Sequence, residues 1–144
     1  MSDTKISALT ALTGPNIAPA TDFVPIVDTS AGATKKVTPA ALMSCPQNSQ
    51  NAGYTCVAED AGKHIYMATA GTFTIPANAS VAYDLGTAIT FVNLTTACTI
   101  PITSDTMYMA GTGSTGTRTL AQYGVATALK VAATTWIING TGLS

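Results

Sequence analysis

The chain has 144 residues, a formal net charge of −1 and only 9% charged side chains, against about 25% in an ordinary globular domain. Lys35-Lys36 is the one adjacent basic pair, too little for a nucleic-acid footprint. Mean hydropathy is +0.32, yet no apolar run reaches the roughly 18–20 residues that a membrane-spanning helix needs.

In chain order, Met1 to Lys5 lacks a charged stretch followed by an apolar one, so no secretory signal is expected. Ile6, Leu9 and Leu12 recur at a helical spacing before Gly14-Pro15 and Pro19 turn the chain extended. Phe23-Val-Pro-Ile-Val27 is apolar and β-prone, but Pro25 cannot donate to a ladder, which makes this an edge strand or an isolated extended piece. Asp28 to Gly32 reads as a turn, and Lys36-Val37 as the returning strand of a small hairpin. Thr38 as N-cap and Pro39 at the first helical position start a helix of one or two turns. Gln47 to Gly53 is polar and linker-like, so the boundary is placed there. Residues 1–50 are read as an extended arm with a short hairpin and a short helix, and residues 51–144 as one β-domain. Such an arm cannot bury its large apolar side chains on itself. Ile6, Leu9, Leu12, Ile17, Phe23, Val24, Ile26 and Val27 are therefore the candidate partner contacts.

Beyond the boundary the pattern sharpens. Tyr54 to Val57 is a short strand and Glu59 to Gly62 a turn. Ile65 and Met67 share one face of the next segment, with His64 and Tyr66 on the other, and Phe73 and Ile75 point inward before Pro76. Ala88 to Leu94 is the most apolar stretch and is suited to burial on both faces. Cys98, Ile100 and Ile102 alternate with Thr99, Pro101 and Thr103, and Met107 and Met109 flank Tyr108. Thr117 to Leu120 is a short strand. Val125, Thr127, Leu129 and Val131 then alternate with Ala126, Ala128 and Lys130, and Trp136 to Ile138 closes the domain. About eight strands at a spacing of roughly 8–12 residues predict an all-β fold, a small antiparallel β-sandwich or barrel. Flat Thr-rich strands with little edge charge invite pairing with another chain. A closed homo-oligomer, expected as a trimer, would cover them. Trp136 suits a core or an oligomer seam equally, so Trp136 and Ile138 are the candidate self-contacts.

No motif carries catalysis. Gly111-Thr-Gly-Ser-Thr-Gly116 matches a dinucleotide fingerprint in spelling only. A strand-like segment follows it where a long helix is needed, and no acidic residue stands twenty positions on. His64 is the single histidine and has no second ligand or triad partner in prospect. Glu59-Asp60 is the one adjacent acidic pair, the residue type that cleaves glycosides, but neighbours on a turn point apart and a solvated turn is the better reading. Cys45, Cys56 and Cys98 are odd in number, widely spaced and without CxxC, which argues against a disulfide framework and against zinc. Asn78, Asn93 and Asn139 begin glycosylation triplets that a chain this rich in Asn and Thr produces by chance. No enzyme activity and no cofactor are expected. A neutral surface of Thr, Ser, Asn and Ala instead suits close protein–protein packing.

The opening, Lys5 to Gly14 through Phe23 to Asp28 and Thr34 to Pro39, resembles a segment at the start of structural proteins of tailed bacteriophages. Asp60 to His64, Thr74 to Ser80, Gly86 to Asn93, Ala126 to Lys130 and Trp136 to Gly142 are similar to a β-domain of phage minor structural and tail-fibre proteins. The resemblance implies a virion component. The chain lacks a shaft or coiled coil, so the expected role is capsid decoration: a cement protein on the outer surface of the head, bound to the major capsid protein through the arm. The alternative is a short tail fibre or host-adhesion protein that binds a cell-surface glycan.

Overall fold

The computed structural model describes residue 18, residues 20–29 and residues 32–144. The chain divides into two units, Met1–Ser44 and Cys45–Ser144. In the first, β1 (Val24–Asp28) and β2 (Ala33–Val37) form an antiparallel hairpin with Val24 opposite Val37. Both strands of a two-stranded sheet are edges, so Pro25 breaks no ladder that has to continue. The Lys36 ammonium lies 4.0 Å from the centre of the Phe23 ring. Helix α1 (Pro39–Met43) begins where Thr38 accepts a hydrogen bond from the Ala41 amide at 3.2 Å, and Pro39 stands where a helix has no use for an N–H.

The second unit carries the remaining strands: β3 (Gln47–Gln50), β4 (Tyr54–Thr55), β5 (His64–Met67), β6 (Phe73–Thr74), β7 (Ala88–Asn93), β8 (Cys98–Ile100), β9 (Thr106–Met109), β10 (Arg118–Ala132) and β11 (Thr135–Leu143). The first six wind as three successive pairs. β3, β5 and β7 stack in parallel, with Asn48 beside Ile65 and Ile65 beside Phe91. β4 and β6 stack in parallel too, and the residues flanking β6 continue onto the next level, Thr72 against Thr99 and Ile75 against Ile102. The β10–β11 hairpin then covers the last level: β10 runs antiparallel to β7 over Val125–Leu129 and to β8 over Arg118–Leu120.

The all-β class therefore holds, while the antiparallel expectation is corrected. Alternating apolar residues specify a half-buried strand but not the direction of its neighbour. Here segments 51–63 and 68–87 separate the stacked strands, long enough for the crossover that parallel pairing requires. The barrel is corrected as well, because the sheet path runs open from β3 to β9. The linker expected at Gln47 to Gly53 contains β3 instead. Thr117 to Leu120 and Val125 to Val131 prove to be one strand of 15 residues, bulged between Leu120 and Val125, where Tyr123 takes a left-handed φ of 61°.

One core joins both sides of the winding: Ile65, Met67, Phe73, Ile75, Ile89, Phe91, Cys98 and Ile100 pack with Met107, Leu120, Trp136 and Ile138. Asn93 ends β7 inside it, fully buried. Its amide nitrogen donates to the carbonyls of Thr96, Leu120 and Ala121, each at 3.0 Å. Its oxygen accepts from the Thr95 amide, the Thr95 hydroxyl and the Cys98 thiol. Leu120 and Ala121 enter the bulge in β10, and this one side chain ties their carbonyls to the end of β7.

Candidate interaction surface

The residues with chemical potential are committed elsewhere. Asp60 is 1% exposed. Its carboxylate accepts from Asn48 Nδ2 at 2.7 Å, the Tyr54 hydroxyl at 2.8 Å and the Val57 amide at 2.8 Å. This corrects the solvated turn: Glu59 is exposed, whereas Asp60 is a buried anchor that ties β3 to the turn after β4. Burial first, and the Asp60 carboxylate second, push the Tyr54 hydroxyl and the Cys56 thiol each up to about 12. Burial likewise pushes the Tyr83 hydroxyl well above its ordinary value. His64 meets the Cys45 carbonyl and Gln47 Oε1, both at 3.1 Å. All three cysteines are free thiols. Among the described residues no group of His, Cys, Asp and Glu could hold a metal ion, no pocket opens, and no helix is long and apolar enough to cross a membrane. Asn93, buried and fully bonded, cannot accept a glycan in the folded chain.

The glycine-rich stretch is a loop that turns back on β9. Gly111, Gly113 and Gly116 take φ of 80°, 69° and 108°. The Met109 amide donates to the Ser114 carbonyl at 2.8 Å, the Gly113 amide donates to the Met109 carbonyl at 2.9 Å, and Tyr108 bridges Thr115. The Gly113 and Ser114 amides are thus engaged by the Met109 carbonyl and the Thr112 hydroxyl.

The feature that stands out is the outer side of the sheet. On β10, Ala126, Ala128 and Lys130 face inward, and Val125, Leu129 and Val131 face outward at 44%, 41% and 42% exposure. The inward places are small because large neighbours already fill the space, Ala126 lying beside Phe91 and Ala128 between Ile89 and Ile138. Cross-strand register extends the outer side into rows: Ala88, Leu129, Ile137 and Tyr108 form one, Tyr66, Val92, Val125 and Thr141 another. Between them Thr90 and Thr127 share a hydrogen bond of 2.9 Å. None of these positions carries Asp, Glu, Lys or Arg. No protein family, curated protein or solved structure matches the chain.

The expected contact residues fall into three groups. Ile6, Leu9, Leu12 and Ile17 lie outside the described residues. Phe23, Val24, Ile26 and Val27 are on or beside β1 and are exposed, 54%, 40%, 41% and 73%. Trp136 and Ile138 are buried to 1% and 0% in the core of a single chain, so neither has surface left for a partner. The outward neighbour on that strand is Ile137. The alternation on β10 left open which row faces out, because its larger residues lie on one side and two alanines and a lysine on the other. A visible clue was Gly140, which stands opposite Ala126 and marks a close approach of β10 and β11.

Proposed function

We propose that this chain is a structural component of a bacteriophage virion: a decoration, or cement, protein on the outer surface of the head. Residues ahead of Cys45 bind the major capsid protein, and the β-domain associates with further copies of itself, as a homotrimer, through the outer side of its sheet. The observation that carries the reading is that uncharged apolar side. A face without ions needs no complementary charge and so fits a second copy of itself, with few ions to desolvate. Completing the burial of each of its exposed Val, Leu and Ile side chains is worth about 1 kcal/mol. The exposed apolar residues of β1 supply a second, separate contact surface, and the resemblance of the opening segment to phage structural proteins supplies the setting.

The deciding measurement is copy number per purified particle, by quantitative mass spectrometry against the shell protein. A number comparable with that of the shell protein is expected. A small multiple matching one vertex or one tail would replace this reading with a short tail fibre or glycan-binding adhesin, and absence from the particle would end both. In solution the full chain is expected to sediment as a trimer, and Leu129→Lys with Ile137→Lys as a monomer of unchanged fold. A monomeric parent chain would refute self-association through this face.

A further inference from the structure

Lys130 is among the most buried side chains in the protein, 2% exposed, on the inward side of β10. Its Nζ donates to Asn78 Oδ1 at 2.5 Å and to the Tyr83 carbonyl at 2.7 Å. The Trp136 ring lies 5.9 Å from the same Nζ, with Tyr83 packed edge-on against it at 5.5 Å. Asn78 is held from behind, where its backbone N–H donates to Asp105 Oδ2 at 3.0 Å. Its side-chain Nδ2 donates to no acceptor among the described residues, whereas its Oδ1 faces the amine. A carbonyl bond is about 1.23 Å long, so Nζ lies within about 3.7 Å of the amide carbon Cγ. Reacting atoms poised for attack sit about 3–3.5 Å apart. The aromatic wall excludes water, the competing nucleophile, from one side of the pair.

We propose that Lys130 and Asn78 are the partners of an intramolecular isopeptide bond. The Nζ lone pair adds to Cγ, the Cγ–Nδ2 bond breaks, and Nδ2 leaves with the protons displaced from the amine. Starting from the lysine ammonium, the products are the secondary amide and ammonium. Nothing is oxidised or reduced, and no co-reactant is consumed. The bond fastens the segment after β6 to the middle of the sheet, across 52 residues of sequence. Asp105 is a positioning residue, holding the backbone of Asn78 in place. The inference stands on this geometry alone and is independent of the virion reading.

The test is the intact mass of the purified full chain together with its tryptic map. The cross-link lowers the mass by about 17 Da, one ammonia. It also blocks tryptic cleavage after Lys130 and yields a branched peptide joining Asn78 to Lys130, and Lys130→Arg restores the full mass. Cyclisation of Asn78 to a succinimide would give the same mass loss, but it would persist in Lys130→Arg and leave no branched peptide; that outcome overturns the proposal. So does a parent chain of full mass, cleaved normally after Lys130. Because the peptide map is made on the unsubstituted protein, it decides the matter even if the variant fails to fold.

Discussion

Replacing Asn93 by Leu keeps roughly the same shape and removes every polar contact the side chain makes. The Thr96 carbonyl keeps the Thr95 hydroxyl and the Cys98 thiol as donors, but the Leu120 and Ala121 carbonyls lose the Asn93 amide, in a bond that is fully buried for Leu120 and partly buried for Ala121. An orphaned buried acceptor costs about 1–3 kcal/mol, and solvent can reach one of the two in part, so the expected loss is about 2–4 kcal/mol. Urea unfolding, followed by the fluorescence of the single, buried Trp136, measures it directly. With a slope of about 1–3 kcal/mol/M for a domain of this size, the midpoint falls by about 1–2 M at unchanged slope. Asn93→Asp sharpens the test. It retains shape and acceptor but turns a carboxylate toward the carbonyls, so its folded-state pKa is raised above the unfolded value. The protonated form can still donate. The stability of this variant is therefore highest below the ordinary Asp pKa of about 3.9 and is lost as pH rises through the raised one. Relative to the parent it is least impaired in acid and most impaired at pH 7. A midpoint shift below about 0.5 M for Asn93→Leu, or no pH trend for Asn93→Asp, would refute the role of Asn93 as the clasp of the bulge.

Three further outcomes follow from the same structure. Tyr54 and Cys56 are both held neutral up to about 12. Their folded values lie above their unfolded ones, so their contribution is intact below about 9 and is lost as pH climbs from there to about 12; thermal melts at stepped alkaline pH should show the decline, and Cys56→Ala should flatten part of it. Cys45 is exposed while Cys56 and Cys98 are buried, so a thiol reagent should titrate one group in the native chain and three in denaturant; rapid native labelling of Cys56 would contradict its placement. A methyl group at Gly140 would collide with the Val125 oxygen and with Ala126 Cα. Gly140→Ala should therefore cost about 3 kcal/mol. Gly113→Ala, with open space but a φ of +69°, should cost about 1 kcal/mol, and equal losses would argue against the close approach.

Much of the core was legible. Ile65 and Met67, then Phe73 and Ile75, then Ile89 and Phe91, are large residues at a period of two, and all are fully buried. The winding was not legible, because it depends on which strand lies beside which, and that is fixed by register over long crossovers. β3 escaped notice because its residues are polar. It is held by its ladder to β5 and by Asn48 on Asp60, not by apolar burial. Lys130 concealed the inward side of β10, since a lysine ordinarily marks the solvent side and here its amine is satisfied by Asn78 and a carbonyl. The outward side of β11 was hidden in the same way: Trp136 and Ile138, the candidate self-contacts, are buried, and Ile137 is the residue that faces out.

A stack of parallel strands is extensible by nature: whatever pairs with its terminal strand can be paired with in turn, and the product is a fibre. Both edge strands of the sheet that contains this stack, β3 and β9, bear features that oppose such growth. At one, β3 presents Gln47, Asn48, Ser49 and Gln50; of its two inward side chains, Asn48 is already bound to Asp60 and Tyr54, and Gln50 donates to Asn48. A further level would have to lay apolar residues against amides. At the other, the glycine-rich loop folds over β9, with the Met109 amide and Tyr108 engaged by Ser114 and Thr115. Growth by strand addition at either edge is thereby discouraged, and the broad side of the sheet is left as the open apolar surface of the domain.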